Sequence, residues 1–583
     1  MDMINVKING IAVSVPKGST VLEAARVAGV EIPTLCFMKE KNEIGACRIC
    51  VVEVNEGRGF RIVTACVYPV SEGMEVLTNS EKIQKARRTT LELILSTHEK
   101  KCLSCVRSTN CELQKLCRDY GVEESAFGGF KPEYEIDTTT PHLVRDNNKC
   151  ILCRRCVAVC DEQYVGVIGA NDRGIDTYIG QAFNMPLADV PCISCGQCTA
   201  VCPTGALTEK DDTDKIWAAL ADPTKTVVVQ TAPSIRATLG ECFGMPVGTN
   251  VEGKMVAALR RLGFDKVFDT DFAADLTIVE EANELVERVK NGGTLPMITS
   301  CSPGWVKFCE LYYPDMINHL STCKSPQQMA GAVIKTYWAE KTGVKAEDIV
   351  SVSVMPCTAK KFEIGRDDQS AAGVPDVDIA ITTRELGRMI DRAGINFTAL
   401  PDEDFDNPLG EDTGAAVIFG ATGGVMEAAL RTANDWLTGK DNTDVDYTAV
   451  RGTMGLKQAT VKLGDLEIKV AVASGAGAAK VVMDRMKAGN PDGWTFVEIM
   501  GCPGGCVNGG GQPIQPQSVR DTVDLKAVRA KALYDQDAAS HIRKSHESPV
   551  VKALYEEWYD GFGGHKAHHD LHTSYVARKK FNI

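Results

Sequence analysis

The stretch CILCRRCVAVC, residues 150–160, recurs in altered form as CISCGQCTAVCP at residues 192–203. Both copies space four cysteines as C-x2-C-x2-C-x3-C. In this spacing three thiolates surround one [4Fe-4S] cubane and the fourth ligates the partner cluster. Zinc or chance is the alternative interpretation, and two coincident copies make chance negligible. The repeat therefore predicts a two-[4Fe-4S] ferredoxin domain over residues 139–210.

The crossed ligation typical of this repeat assigns eight cysteines to two clusters. The first cluster is predicted to take Cys150, Cys153, Cys156 and Cys202, and the second to take Cys192, Cys195, Cys198 and Cys160.

The N-terminal stretch INVKINGIAVSVPKGSTVLEAARVAGV, residues 4–30, alternates apolar and polar residues on both sides of Asn9-Gly10. That pair suits a two-residue hairpin turn, and Ser19 or Thr20 can cap a following helix. Two strands, a helix and a cysteine-bearing loop are typical of a plant-type [2Fe-2S] ferredoxin domain, predicted over residues 1–78. Its expected ligands, spaced more widely than in plant ferredoxins, are Cys36, Cys47, Cys50 and Cys66. Structural zinc is the alternative, but the secondary structure favours iron.

Between these modules, STHEKKCLSCVRSTNC at residues 96–111 offers one imidazole and three thiols. Taken alone, such a set is a common zinc site. Its position between two redox modules favours a histidine-ligated [4Fe-4S] domain over residues 79–120, with His98, Cys102, Cys105 and Cys111 as ligands. Cys117 is left over and is predicted to be structural.

Composition agrees with metal and redox chemistry. The chain has 583 residues, enough for several domains, and 23 cysteines, a density that favours metal centres over disulfides in a reducing compartment. A net charge of -13 disfavours nucleic acid and anionic membrane surfaces as partners. No apolar run approaches the length of a membrane span, and no export leader is evident, so a cytoplasmic location is expected.

From about residue 225 the pattern changes to that of an α/β region. The short apolar runs KTVVVQTAP (225–233), TLPMITS (294–300), DIVSVSVMP (348–356) and AAVIFG (415–420) alternate with helical stretches such as VEGKMVAALRRLG (251–263). Alternation of this kind predicts largely parallel sheets. The region is predicted to form one domain over residues 222–515, followed by a polar helical segment over 516–583.

Three further motifs each follow or end a predicted strand of this region. They are TSCSPGW at 299–305, MPCTAKKFE at 355–363 and EIMGCPGGCVNGGGQP at 498–513. The ends of parallel strands are the usual place for a site, and the glycines allow a backbone to approach a bulky cofactor closely. A second zinc site or an ordinary tight turn would not account for all three motifs.

Over essentially its whole length the sequence resembles the catalytic subunits of [FeFe] hydrogenases, in particular those of multimeric NAD(P)-linked, electron-bifurcating enzymes. The resemblance implies N-terminal iron–sulfur modules followed by an α/β domain that holds an H-cluster, a cubane joined through a cysteine to a diiron centre with CO, CN and a bridging dithiolate. It implies that Cys357, Cys502 and Cys506 ligate the cubane, with Cys506 as the bridge. Lys360 would bond a diiron cyanide, and Met355 and Met500 would pack near the diiron site.

The first of the three motifs departs from the family pattern, which has two adjacent cysteines before the proline. By resemblance, Cys301 is the proton relay and Ser302 stands in the position of the cubane ligand. Two alternatives remain open at this point. Either Ser302 binds as an alkoxide, although such clusters prefer thiolate, or Cys301 becomes the ligand and the relay is altered.

A proton route is also implied. The stretch VEEANELVERV places Glu281, Glu284 and Arg288 on one helical face, and NHLSTCKSP supplies Ser321. Taken alone, these carboxylates would be a solvated helix face. The family match makes Glu281, Ser321 and Glu284 the expected path between Cys301 and solvent.

The resemblance implies reversible H2 oxidation and proton reduction, and the cysteine motifs predict that electrons pass through one [2Fe-2S] cluster and three accessory [4Fe-4S] clusters. Expected partners are flavin- and NAD(P)-binding and [2Fe-2S] subunits or ferredoxin. The chain itself lacks a dinucleotide fingerprint, because VAVASGAGAAK at 470–480 fits a tight strand-to-helix turn better. Competing hypotheses are a non-catalytic electron-transfer module, an iron–sulfur assembly factor and an H2 sensor. The histidine-bearing tail is expected to be structural.

Overall fold

The computed structural model describes residues 2–582. Residue 1 of the predicted first domain and residue 583 of the predicted last segment lie outside the described residues. The N-terminal module contains β1 (Met3–Ile8), β2 (Ile11–Pro16), α1 (Val21–Val27), β3 (Val51–Asn55), β4 (Phe60–Thr64) and β5 (Glu75–Leu77). Its strands form one sheet in the order β2-β1-β5-β3-β4.

Local sequence signals set the start of this module, as predicted. Asn9 and Gly10 both have positive φ, 50° and 85°, which is the geometry of a tight hairpin turn between β1 and β2. Thr20 caps α1 in a capping box with Glu23. The buried face of α1 closes a small apolar core over the sheet. The cysteine-bearing segment leaves this core and wraps toward the next module.

The next two modules are short and rich in turns. One contains α2 (Glu81–Thr97) and α3 (Glu112–Asp119). The other contains β6 (Leu143–Arg145), α4 (Arg155–Glu162), β7 (Gly169–Asn171), β8 (Tyr178–Gly180), α5 (Gln197–Val201) and β9 (Leu207–Glu209). Each has only a small apolar cluster in which cysteines take part. Metal ligation can supply the order that such cores do not.

The large domain is built on two four-stranded sheets. Its strands are β10 (Thr226–Thr231), β11 (Lys266–Asp269), β12 (Met297–Ile298), β13 (Ile349–Met355), β14 (Ile379–Thr382), β15 (Leu456–Leu463), β16 (Leu466–Ser474) and β17 (Phe496–Met500). One sheet is all parallel in the order β11-β10-β13-β14, and the other has the order β12-β17-β16-β15 with an antiparallel β15–β16 pair.

Helices cover both sheets. They are α6 (Thr213–Leu220), α7 (Pro233–Arg236), α8 (Glu252–Leu262), α9 (Asp271–Asn291), α10 (Pro303–Tyr312), α11 (Pro326–Val333), α12 (Ala339–Thr342), α13 (Ala359–Glu363), α14 (Thr383–Arg392), α15 (Gly414–Val417), α16 (Gly424–Thr438) and α17 (Ala476–Lys487). The predicted α/β class is confirmed. In residues 2–582 no helix combines the length and apolar character that crossing a bilayer requires.

One predicted strand is wrong. The run AAVIFG forms α15 and a 3-10 turn at residues 418–420 instead of a strand. A short apolar run cannot be assigned to strand or helix by periodicity alone. Here the run is buried on every side, with Ala415, Ala416 and Ile418 fully covered, and a helix that is apolar all round is typical of such a position.

The three cysteine motifs meet because of the sheet topology. TSCSPGW follows β12, MPCTAKKFE begins at the end of β13, and the glycine-rich motif follows β17. Since β12 and β17 are parallel neighbours, their carboxyl ends lie at the same edge. The end of β13 in the other sheet faces that edge across one cavity.

The C-terminal segment contains α18 (Gln517–Thr522), α19 (Leu525–Ala539), α20 (Pro549–Glu557) and α21 (His565–Leu571). It is fastened by buried ion pairs. Arg431 on α16 is fully buried and contacts Asp537 on α19 at 2.8 Å and Glu427 at 2.9 Å. Arg529 on α19 pairs with Glu241 at 2.7 Å and donates to the Val507 carbonyl at 2.9 Å, beside Cys506.

Arg431→Met should loosen this segment. The substitution keeps most of the side-chain volume but removes the cation between two buried carboxylates, which costs about 3 kcal/mol or more. Thermal unfolding and limited proteolysis after residue 516 would measure the loss. Arg543→Met is the matched control, because Arg543 contacts the same Asp537 at 2.6 Å but is partly exposed, and its loss should cost below about 1 kcal/mol. Equal protection of the segment in both variants would contradict the prediction.

Candidate active site

One cavity lies where the three motifs meet. Four cysteines line it, Cys301, Cys357, Cys502 and Cys506, together with Ser302 and Lys360. Its remaining wall is largely apolar and includes Met355, Met500 and Phe419. The structure therefore brings together all of the residues predicted for this site from the three motifs.

Glycines let the third motif close around the cavity. A Cβ at Gly505 would lie 2.6 Å from the backbone nitrogen of Thr422, and Gly505 has a φ of 90°. A Cβ at Gly510 would overlap the carbonyl oxygen of Cys195. Larger residues at these positions would push the cysteine loop away from the neighbouring backbone.

The donor set fits an iron–sulfur cubane. Burial raises the pKa of the Cys502 and Cys357 thiols, and burial together with the neighbouring Cys357 raises the pKa of Cys506 to about 12. Each of these thiols is costly to ionise alone, whereas iron takes thiolate ligands and neutralises their charge. Soft donors around an apolar cavity are the arrangement that such a cluster requires.

The two residues of the altered motif face different neighbours. Ser302 Oγ accepts a hydrogen bond from the backbone N–H of Gly501 at 3.0 Å, next to Cys502. Cys301 is buried, and burial, followed by the charges of Glu281 and Cys506, raises its pKa well above that of an ordinary thiol. Ser302 therefore lies on the Cys502 side of the cavity, while Cys301 lies between Glu281 and Cys506.

Lys360 is held at the cavity wall by three acceptors. Its Nζ donates to the carbonyl of Cys301 at 3.2 Å, to the Ser325 hydroxyl at 2.7 Å and to Glu363 Oε2 at 2.8 Å. Glu363 also accepts from Ser325 and Gln327. Sequence analysis did not identify Glu363 or Ser325. Glu363 was recognisable only as an acid three residues after Lys360 on α13.

A set of carboxylates leads away from Cys301 along α9. Glu281 is fully buried and neither of its oxygens has a hydrogen-bond partner. Burial, followed by the nearby Glu284, raises its pKa to about 8. Ser321 donates to Glu284 Oε2 at 2.8 Å, and Arg288 contacts Glu284 Oε1 at 2.5 Å. Glu284 is partly exposed, so the set runs from the cavity wall to near the surface.

The structure also brings cysteines of the repeated motif together in two groups, and their ligation of clusters stays a prediction. Cys150, Cys153, Cys156 and Cys202 line one small cavity. Cys160 from the first copy lies near Cys192 of the second, and Cys198 lies near both. The crossing of Cys160 and Cys202 between the two copies follows from the packing of α4 against α5.

The N-terminal candidates also lie close together. The sulfur atoms of Cys50 and Cys66 are 3.3 Å apart, and Cys36 and Cys47 contact each other. Cys50 and Cys66 belong to the apolar core of the first module, whereas Cys47 packs against the apolar cluster of the second.

In the second module, His98 follows α2 directly and is buried. Its Nδ1 has no hydrogen-bond partner, and burial lowers its pKa to about 4, so the imidazole is neutral and able to ligate. Cys105 and His98 both lie next to Lys149. The structure also places Cys117 near Cys102 and Cys111, a proximity that sequence spacing did not reveal.

Contacts across the domain boundary join the second predicted cubane site to the cavity. Burial raises the pKa of the Cys195 thiol, and the nearby Cys502 raises it further. The Thr358 hydroxyl donates to the Ser194 carbonyl at 2.7 Å, and Gln197 Nε2 donates to the Asn508 carbonyl at 2.9 Å. The two groups of thiols are therefore adjacent across a packed interface.

Comparison with protein-family descriptions assigns every module. Residues 225–510 match the iron only hydrogenase large subunit, C-terminal domain, and residues 523–578 match the iron hydrogenase small subunit. Residues 1–81 match a 2Fe-2S iron-sulfur cluster binding domain, residues 87–126 the NADH-ubiquinone oxidoreductase-G iron-sulfur binding region, and residues 149–208 a 4Fe-4S dicluster domain.

Individual relatives agree with this assignment. The chain is 49% identical to the NADP-reducing hydrogenase subunit HndD of Solidesulfovibrio fructosivorans, over 100% of both chains. It is 43% identical to iron hydrogenase 1 of Clostridium pasteurianum, over 98% of this chain and 100% of the relative. A solved structure of an apo variant of the [FeFe]-hydrogenase HydA1 from Chlamydomonas reinhardtii is 41% identical, has a TM-score of 0.56, and covers 64% of this chain and 100% of its own.

Glu281→Gln should remove a buried carboxylic acid that loses its proton as the pH rises through about 8. Infrared difference spectroscopy would follow its carbonyl stretch. In Glu284→Gln the stretch should disappear at lower pH, because the like charge that helps to raise the pKa of Glu281 is gone. Glu310→Gln is the control. Arg366 and Arg578 hold the pKa of Glu310 below its usual range, so this variant should retain the band. A band in Glu281→Gln that still titrates near this pH would refute the prediction.

Proposed function

We propose, for a chain that belongs to the iron-only or [FeFe] hydrogenase family, a division of roles among the cavity residues in the reaction 2H+ + 2e− ⇌ H2. The chain is a catalytic subunit of that family with an iron–sulfur relay in its N-terminal modules. The observation that carries the proposal is the cavity lined by four cysteines, of which Cys301 lies near Glu281 and Cys502 near Cys195.

The cavity fits an H-cluster, which supplies reversible cleavage of the H–H bond when bound. Cys357, Cys502 and Cys506 would hold its cubane, with Cys506 as the bridge to the diiron centre. Met355 and Met500 would provide an apolar wall that keeps water away. Lys360, held by Ser325 and Glu363, would bond a diiron cyanide with the N–H that contacts the Cys301 carbonyl at 3.2 Å, the longest of its three contacts.

We infer that Ser302 completes the ligand set and that Cys301 remains the proton carrier. The hydroxyl of Ser302 lies beside Cys502 and accepts the Gly501 N–H, a bond that stabilises an oxygen with negative charge. Cys301 instead lies next to Glu281. A thiol that faces a carboxyl group with a raised pKa is suited to exchange a proton with it.

Glu281, Ser321 and Glu284 then carry protons between Cys301 and the surface. Glu281 can exchange protons near neutral pH because its pKa is raised to about 8. Ser321 donates to Glu284, and a hydroxyl can pass a proton by accepting one and donating another. Arg288 holds Glu284 in position at the outer end.

Electrons are proposed to run from the cavity through the cubane of Cys192, Cys195, Cys198 and Cys160. They continue through the cubane of Cys150, Cys153, Cys156 and Cys202, then through the His98 cluster or directly to the [2Fe-2S] centre. This gives one [2Fe-2S] and three accessory [4Fe-4S] clusters. The proposed modules span residues 1–78, 79–120, 139–210, 222–515 and 516–583.

Partner subunits are the proposed electron acceptors. A full-length relative is named as one subunit of an NADP-reducing hydrogenase, which supports flavin- and NAD(P)-binding partners, with electron bifurcation as one mode. Ferredoxin is the alternative acceptor, and a cytoplasmic location is part of the same proposal. The sequence carries no dinucleotide fingerprint, so nicotinamide would bind on another subunit.

Substitutions at Cys301 and Ser302 should show which of the two residues ligates the cubane and which carries the proton. Ser302→Ala should weaken the cubane, Ser302→Cys should keep it with a changed electron paramagnetic resonance spectrum, and Cys301→Ala should keep it while slowing turnover by about 100-fold or more. Spectra and iron content would be measured on protein that contains the cubane without the diiron centre, and turnover on fully matured protein. Loss of the cubane in Cys301→Ala with retention in Ser302→Ala would assign the ligand to Cys301 instead.

The matured chain alone should evolve H2 rapidly from reduced viologen but should not couple to NAD(P)H until partner subunits are added. Reduced viologen can donate to exposed clusters, whereas hydride transfer requires a flavin. Gas chromatography measures the first reaction and nicotinamide absorbance the second. Iron content and diiron occupancy serve as controls. Efficient NAD(P)H coupling by the isolated chain would refute the partner proposal, and no H2 from a fully loaded chain would favour an electron conduit or a sensor.

A further inference from the structure

A thiol, an imidazole and a carboxylate converge at the outer end of the α9 carboxylate set. They belong to Cys323, His572 and Glu284, and one ligand atom from each lies within 4.8 Å of the others. Cys323 is buried, and the side chains of Glu284 and His572 are 14% and 7% exposed. Neither Cys323 nor His572 has a role in the mechanism above.

Backbone pairing fixes this arrangement. Cys323 and His572 form an isolated antiparallel bridge between the segment before α11 and the segment after α21. Lys324 N–H donates to the Leu571 carbonyl and Thr573 N–H to the Thr322 carbonyl, both at 2.8 Å. The three side chains therefore project from rigid, paired backbone rather than from loose loops.

The distances suit a small tetrahedral cation. Around Zn2+, sulfur, nitrogen and oxygen ligands lie roughly 3.3 to 3.7 Å from one another. The sulfur of Cys323 is 3.9 Å from Glu284 Oε2. Small side-chain rotations would close the set, and water from the exposed side of Glu284 could supply the fourth ligand.

The hydrogen bonds of His572 leave one nitrogen suited to ligation. Its Nε2 lies 3.1 Å from Glu280 Oε2, and its Nδ1 lies 2.8 Å from the Thr322 hydroxyl. Glu280 also accepts from Gly563 N–H and from the Tyr555 hydroxyl, so it acts as an acceptor and Nε2 carries the hydrogen. Nδ1 then accepts from the Thr322 hydroxyl, and rotation of that hydroxyl would turn the Nδ1 lone pair over to a cation. A histidine oriented by a carboxylate is the usual supporting arrangement at a zinc ligand.

The two carboxylate oxygens of Glu284 have different neighbours. Its Oε1 contacts Arg288, whereas Oε2 accepts from Ser321 and is the oxygen nearest the Cys323 sulfur. Arg288 lowers the affinity for a cation to some extent, and this sets the site apart from a permanent structural zinc site. A thiolate supplied by Cys323 would offset that positive charge.

We propose that Glu284, Cys323 and His572 form a binding site for a borderline-soft divalent cation of the Zn2+ class, and that an ion bound there arrests proton exchange at the outer end of the relay. The second part rests on the proposed role of Glu284 as the outer proton carrier. A carboxylate whose Oε2 coordinates a metal cannot accept a proton from Ser321, so turnover stops although the cavity and its ligands are untouched.

Binding is tested first and without reference to turnover. Fully matured, anaerobic chain is dialysed against Zn2+, and zinc per chain is measured by elemental analysis. Zinc-edge X-ray absorption then reports the ligands without interference from iron. We expect one zinc with a single sulfur ligand at about 2.3 Å. Cys323→Ala should lose the sulfur ligand, and His572→Gln should weaken binding by about tenfold or more.

Cys309→Ala is the matched control, since Cys309 is equally buried but contacts the Tyr313 carbonyl instead. It should bind zinc as the unaltered chain does. H2 oxidation with viologen is next measured with and without Zn2+, each variant against its own zinc-free rate. Zinc should inhibit the unaltered chain and Cys309→Ala, a chelator should restore the rate, and Cys323→Ala should need at least about tenfold more zinc for equal inhibition.

The outcomes separate the two proposals. A sulfur shell that persists unchanged in Cys323→Ala, or no bound zinc in the unaltered chain, would overturn the site. Zinc bound through Cys323 with no effect on turnover would overturn the block, and with it the place of Glu284 in the relay. Absence of turnover in zinc-free, fully loaded chain would instead be a failure of the proposed function, and the absorption result would still stand.

Discussion

The close approach of two backbones, Gly510 and the Cys195–Gly196 peptide, is the constraint on which the rest of the structure depends. No side chain fits between them. Because the contact is made by main-chain atoms, the cavity of the large domain cannot move relative to the ferredoxin module without breaking it. Arg384 reinforces the contact by donating to the Gln512 carbonyl at 2.7 Å and to the Thr199 hydroxyl at 3.1 Å. Electron transfer falls steeply with distance, so in the proposed relay this packing would keep the clusters of the two thiol groups close enough to exchange electrons.

Two buried glutamates, Glu281 on α9 and Glu310 on α10, have opposite pKa shifts. Glu310 and Glu281 are both fully buried. Two arginines surround Glu310 and outweigh its burial, so its pKa lies below the usual range, and it serves as a fixed anchor for Arg366 and Arg578. Glu281 has no cation beside it, and its pKa rises to about 8. The same residue type at the same burial thus becomes either an ion-pair anchor or a proton carrier, and the presence of a neighbouring guanidinium decides which.

Local signals in the sequence predicted what depends on local chemistry. The turn at Asn9-Gly10, the capping box of Thr20 and the cysteine spacings each specify their geometry within a few residues. The run at residues 415–420 was misassigned because its burial by α9 and α19 depends on contacts far away in sequence. Cys323 escaped notice for the same reason, because its neighbours Glu284 and His572 come from other segments. Glu363 lies three residues after Lys360, but its other partners, Ser325 and Gln327, come from another segment. The roles of Cys301 and Ser302 likewise depended on Glu281 and Gly501, which the chain places beside them only when folded.

The C-terminal segment illustrates how a region that carries no motif can still affect chemistry. Its Tyr575 hydroxyl donates to the Ser321 carbonyl at 2.7 Å, and Thr573 pairs with Thr322. Ser321 and Thr322 in turn contact Glu284. The outer end of the proposed relay is therefore shaped by residues some 250 positions away, which Arg578 fastens to Glu310. The hydrogen bonds that position Ser321 therefore depend on how this segment docks. The same segment also contacts the loop of Cys506, because Arg529 on α19 donates to the Val507 carbonyl at 2.9 Å, so its docking bears on both the proposed relay and the cavity.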